Sequence, residues 1–223
     1  MFIGHHAVGF ALKRAAPRTS LGALMAAPLL LDLLWPMFLL LGWEQVRIDP
    51  GNTPFTPFDF VSYPWSHSLL MAAAWGAAFG VLYFWRARLG TAAWWIAAGV
   101  VSHWVLDWLT HRPDMPLVPG GGAKVGLGLW SSIPATVAVE ATLLVAAVWL
   151  YLAGTRNRDR VGRYGLWGFL LFVVAMYSAV VWQAAHGNPG PYPTVTQIAS
   201  TGLAAWLFPL WAGWFDRHRE ARL

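Results

Sequence analysis

The stretch Val101-Ser102-His103-Trp104-Val105-Leu106-Asp107-Trp108-Leu109-Thr110-His111 decides how this chain reads. It closes a long apolar run, residues 91–110, yet it sets His103, Asp107 and His111 four residues apart. On a helix each such step turns about 40°, so the three polar groups share an arc of about 80°. A His and an Asp one turn apart can grip one cation from a single rigid element. His111 lies about 12 Å along the axis from His103, too far for one ion to take all three. The spacing predicts His103 and Asp107 as metal ligands and His111 as a catalytic neighbour at the mouth. The alternative is a buried His–Asp hydrogen bond that only joins helices. Ionisable groups inside a membrane are costly and functional by default, which favours the ligand reading.

The rest of the chain supplies the membrane. Of 223 residues, 57% are hydrophobic and 11% charged, where a soluble domain carries about 25% charge. Six apolar runs are long enough to span, at about 20–42, 66–86, 91–110, 129–152, 164–184 and 197–215. The expected fold is all-α: a polytopic integral membrane helical bundle of about six transmembrane helices plus a short N-terminal helix. It reads as one membrane-embedded domain over 1–223, with a half-helix in 1–19, site-bearing helices in 20–152 and scaffold helices in 153–223.

Charge sets the expected orientation. The net charge of +5 is spread through short loops, so it reports topology, and nucleic acid is not an expected partner. Lys13, Arg14, Arg18, Arg86, Arg88, Arg156, Arg158, Arg160, Arg163, Arg217, Arg219 and Arg222 fall on one side; Arg47, Arg112 and Lys124 fall on the other. That asymmetry places both termini in the cytoplasm, with Trp43, Trp65, Trp85 and Trp149 among the interfacial aromatics. Met1 to Leu12 has its basic pair after its apolar part, the reverse of a secretory signal. The absence of Cys excludes disulfides, thiolate zinc sites and cysteine nucleophiles, so any metal must rest on His and carboxylate.

Further candidates lie on other elements. His5 and His6 sit in a segment too short to span, which is either a surface anchor or a half-helix that dips inward with a ligand. Asp32 is buried in the first span, one turn before Pro36. The Pro-rich connection from Glu44 to Ser66 is expected to fold over the outer mouth and to place His67 at the start of the second span, with Ser66 or Ser68 as cap. The glycines Gly120-Gly121-Gly122 lack the following Gly-Lys-Ser/Thr of a phosphate loop. Glu140 lies in the fourth span. Counted from their helix ends, Asp32, His103 and Glu140 reach a similar depth, which argues for one shared site.

At His5-His6, Asp32, Ser66-His67-Ser68 and His103-x-x-x-Asp107, the chain resembles a family of bacterial inner-membrane proteins described as membrane-bound metal-dependent hydrolases. The resemblance covers residues 1–115. Leu34 stands where the family commonly has a second Asp, and Val61 to Trp65 replace a His-Arg pair, leaving fewer ligands than a two-metal centre would use.

Residues and resemblance together imply a divalent metal, zinc by its taste for imidazole and carboxylate, in the outer half of the bundle. His67, His103 and Asp107 are the expected ligands, with Asp32, His5 and His6 as additions. Glu140 or Asp32 is the expected general base. The expected reaction is attack of metal-activated water on an ester or phosphoester of a lipid-like substrate, with membrane lipid as partner. The alternatives are a proton- or cation-coupled pathway and a structural membrane protein whose polar groups join helices.

Overall fold

A computed structural model describes residues 1–188 and 190–222; Pro189 and Leu223 lie outside the described residues. The chain is an all-α bundle. Helix α1 (Ile3–Ala15) precedes α2 (Leu21–Leu40), which Ser20 caps through the amide of Gly22. A hairpin of β1 (Gln45–Ile48) and β2 (Phe58–Ser62) leads to the single turn α3 (Pro64–His67). Helices α4 (Leu69–Ala87) and α5 (Gly90–Thr110) follow, and a minimal ladder of β3 (Met115–Pro116) with β4 (Lys124–Val125) ends this half. After a 3-10 turn at Leu129–Ser131 come α6 (Ile133–Gly154), β5 (Thr155–Asn157) and α7 (Arg160–His186). The last span is broken into α8 (Val195–Gly202), a 3-10 turn at Leu203–Trp206 and α9 (Leu207–Asp216); β6 (Arg219–Ala221) then pairs with β5.

Polarity is inverted relative to a water-soluble protein. Leu171, Val145 and Leu207 face outward while His5, His103, Asp107 and Glu140 are buried. Among the described residues, five helical segments are long and apolar enough to cross a membrane: α2, α4, α6, α7 and the composite Val195–Asp216. The sequence reading expected six. The sixth, α5, has 21 residues, but His103, Asp107 and four Trp lower its hydropathy. It packs as an antiparallel hairpin against α4. Gly76 and Gly80 permit that close approach, since a Cβ on either would sit 2.8 Å from the carbonyl oxygen of Ala97 or Ala93.

Helix α1 occupies the middle of the bundle, packed on α2, α5 and α6. This overturns the surface-anchor alternative for the N-terminal segment. At about 1.5 Å per residue its 13 residues reach about 20 Å. Its basic end is fixed inside, where Lys13 Nζ donates to Asp216 Oδ2 at 2.6 Å and to the carbonyl of Thr19 at 2.8 Å. Asp216 also accepts from the Leu21 amide and the Tyr151 hydroxyl, both at 2.9 Å. The other end of α1 thereby reaches the depth of His103. The same helix holds a basic residue at one face and a His beside the buried cluster, which the sequence alone left unreconciled.

Candidate metal centre

Four elements converge at the N-terminal end of α1. His103 and Asp107 come from α5, His67 from α3, Asp32 from α2 and His5 from α1. His103 Nε2 lies 3.2 Å from His67 Nε2 and 3.0 Å from Asp107 Oδ2. Asp32 Oδ1 is 3.4 Å from His67 Nε2 and 3.8 Å from His103 Nε2, and Asp107 Oδ2 is 3.8 Å from His67 Nε2. A tetrahedral zinc with bonds of about 2.0–2.1 Å would space its ligand atoms by about 3.3–3.4 Å. The five measured separations bracket that value.

The surroundings fix which imidazole nitrogen carries the proton. Ser66 Oγ donates to Glu44 Oε2 at 2.6 Å, so it accepts from His67 Nδ1–H, also at 2.6 Å. Glu44 is itself anchored by the Trp65 and Ser66 amides. His103 Nδ1 lies 2.7 Å from the Pro28 carbonyl, which can only accept. In the neutral rings both Nε2 atoms are thus bare lone pairs, and they point at one another beside two carboxylate oxygens. Four acceptors without a donor is an arrangement that asks for a cation. Second-shell partners of this kind orient imidazoles in metal sites. The donor set fits a divalent ion held by nitrogen and oxygen.

Asp107 and Asp32 differ in setting. Asp107 is buried, and its Oδ1 takes His5 Nε2 at 3.1 Å and the α-amino group of Met1 at 2.5 Å, leaving Oδ2 for the cluster. His5 also stacks flat on His103, with ring centroids 3.8 Å apart. The Asp32 side chain was expected to be buried, but it is 40% exposed. It borders a cleft of about 310 Å³ that His67, Asp107 and His111 also line. The cluster is therefore reached from the Asp32 side.

His111 follows the last turn of α5. Its Nδ1 lies 3.0 Å from Asp114 Oδ1, which also accepts the Tyr63 hydroxyl at 2.9 Å. With that proton committed, Nε2 faces Asp107 Oδ2 across 3.9 Å. Burial lowers the His111 pKa against the opposing pull of Asp114 and Asp107. Asp114 is held below the usual carboxylate range: burial alone would raise it, but hydrogen bonds from His111, Tyr63 and Arg112 outweigh that.

Two named candidates lie elsewhere. His6 turns away from the cluster, its Nδ1 near the Phe2 carbonyl and its ring edge-on to Phe208. Glu140 Oε2 accepts the amides of Phe2 and Gly4 at 2.8 and 3.0 Å, which caps the N-terminus of α1. It holds the helix that carries His5, and among the described residues no hydrogen bond joins it to an imidazole. Sequence reading missed Glu44, Asp114 and the Pro28 carbonyl, and it took Ser66 as a possible cap, a place that Ser68 fills through the Met71 amide. Asp114 alone left a trace, three residues beyond His111.

Fold and cluster define a polytopic helical membrane protein with an internal His/Asp centre. The chain belongs to the YdjM inner membrane protein family, whose model matches residues 1–187. The match extends beyond residues 1–115, through α6 and α7, and establishes an inner-membrane protein; the hydrolase part of the earlier resemblance is a separate matter. No curated protein and no solved structure matches the chain.

Proposed function

We propose that this protein is a membrane-bound, metal-dependent hydrolase of esters or phosphoesters. One observation carries the reading: the tautomer-locked Nε2 atoms of His67 and His103 face each other 3.2 Å apart, beside Asp107 and Asp32. His67, His103 and Asp107 would hold zinc from the buried side, and Asp32 from the side open to the cleft. The ion, when bound, would supply Lewis acidity and lower the pKa of water to about 7.

The chain's own groups do the rest. His111 Nε2, oriented by Asp114, accepts the proton of the attacking water. The water oxygen bonds to the acyl carbon or phosphorus, the ester bond to the alcohol oxygen breaks, and His111 returns the proton to the departing alkoxide. His111 takes the base role first assigned to Glu140 or Asp32, because Glu140 is engaged at α1 and Asp32 borders the ion. Apolar residues favour this reading over an ion pathway: between His5 and Lys13, α1 buries Ala7, Phe10 and Leu12 against Leu24 and Met25.

The test is hydrolysis of p-nitrophenyl esters and phosphodiesters by zinc-supplemented and chelator-stripped protein. Activity that needs the metal, and that His111→Ala lowers by about 10²- to 10⁴-fold with metal retained, is the expected result. Metal-independent or absent turnover on every ester class would overturn it. The twelve-to-three asymmetry of Lys and Arg between the two sides supports the further proposal that both termini are cytoplasmic; reporters fused behind residue 222 and at Gly190 should then lie on opposite sides.

A further inference from the structure

We propose that the substrate is an amphiphile, an ester whose apolar chain lies in the aromatic cleft beside the cluster. The proposal rests on the hydrolase reading and names its substrate class. The cleft is polar at one end only. Asp32, His67, Asp107 and His111 mark that end; Trp35, Phe55, Phe60 and Trp130 form its near walls. Val180, Ile198 and Ala205 continue it toward α7 and the broken last span. Among the described residues no Lys or Arg lines it, and the Met1 ammonium at its edge is already paired with Asp107, so a sugar phosphate or a polyanionic head would find no free cationic side chain there. Recognition must come from burying an apolar group, at about fourfold in affinity per methylene.

The cleft also leads somewhere. Phe55, Thr56, Phe58 and Val180 are shared with a second cleft of about 390 Å³ that runs to Gly187, Asn188 and Tyr192 at the end of α7. Beside this passage α8 packs onto α2. A Cβ on Gly202 would sit 2.7 Å from Pro36 Cγ, so only glycine permits that approach. A chain whose head sits at Asp32 can thus extend along α7 toward the end of the span. A short water-soluble ester would leave these walls unfilled.

The experiment uses zinc-loaded protein in lipid nanodiscs and two photoreactive probes, dodecyl phosphate and dodecanoate, each with a diazirine at the chain end. The expected result is labelling concentrated in residues 55–60 and 180–205, suppressed at least tenfold by Val180→Trp and by Ala205→Trp, with metal content and melting temperature unchanged. The two probes distinguish a phosphoester from a carboxyl-ester head. Unlabelled alkyl phosphates should compete better with length, by about fourfold per methylene up to the chain the cleft holds. Labelling spread over outward side chains such as Leu171 and Trp149, indifferent to both variants and to competitor length, would overturn the proposal. Wild-type protein that binds no metal would instead overturn the hydrolase reading and the ester with it, leaving cleft labelling as a lipid-binding site only.

Discussion

The Nε2 atoms of His67 and His103 stand 3.2 Å apart while the Nδ1 of each ring is committed, one to Ser66 and the other to the Pro28 carbonyl. Glu44 sets the first of these commitments, because its Oε2 takes the Ser66 proton. Glu44→Gln offers Ser66 an amide in place of that carboxylate and loosens the His67 tautomer. Losing such a second-shell partner costs about 10- to 100-fold in metal affinity. Competition with a calibrated zinc chelator measures it. Unaltered affinity in Glu44→Gln would show that the relay does not orient His67.

Asp107→Asn should empty the site while Glu140→Gln should not. Asp107 Oδ2 is 3.0 Å from His103 Nε2, whereas Glu140 binds the amides that open α1. Asp107→Asn removes a ligand charge, and at least a tenfold loss of affinity is expected even if it acts only from the second shell. Glu140→Gln should lower thermal stability through α1 and keep the metal. Metal content per chain in the two variants, purified alike, decides this; the reverse pattern would exchange their roles.

At the opposite end of α1, Asp216→Asn should be strongly destabilising. Lys13 and Asp216 are both buried and 2.6 Å apart, so removing the carboxylate leaves an ammonium without its counter-charge. Breaking such a pair costs about 3–5 kcal/mol. Denaturant melts of the purified variant measure the loss, and one within about 1 kcal/mol of zero would mean that Lys13 finds other partners.

These two ends of α1 show how far a sequence reading reaches. Periodicity and composition were enough for the bundle, because each span must hide its own backbone and wear an apolar coat. His103 and Asp107 were legible as a pair because one helix carries both at i and i+4. His67 was legible from a short antiparallel hairpin, α4 with α5, that returns the chain to the same end. The depth of α1 was not. Its 13 residues are too few to signal a span, and its position depends on Asp216, which lies 203 residues from Lys13. The partners of Glu140 were not legible for the same reason: depth was readable from counting, but those partners are two backbone amides, which carry no sequence signal. Glu44 sits beyond the first span in a loop, where acidic residues are common.

Asp114 carries a pH dependence of defined sign. Its carboxyl is held below the usual range by His111, Tyr63 and Arg112 in spite of burial. A depressed carboxylate stabilises the fold above its unfolded pKa of about 3.9 and loses that contribution as pH falls through its folded value. The melting-temperature gap between wild type and Asp114→Asn should therefore be full at neutral pH and narrow below about pH 4. A gap that persists unchanged in acid would mean that Asp114 acts through packing alone.

Metal analysis of the purified wild type against His103→Ala tests the centre most directly. Four acceptor atoms, two of them tautomer-locked nitrogens, meet without a donor among them. Protein prepared without chelator and supplied with zinc should retain about one ion per chain, as a single cluster of nitrogen and oxygen ligands implies. His103→Ala should retain none while melting cooperatively. A wild type that stays metal-free in zinc would contradict the centre, and a protonated His103 donating to both Asp107 and Pro28 would then account for the same distances.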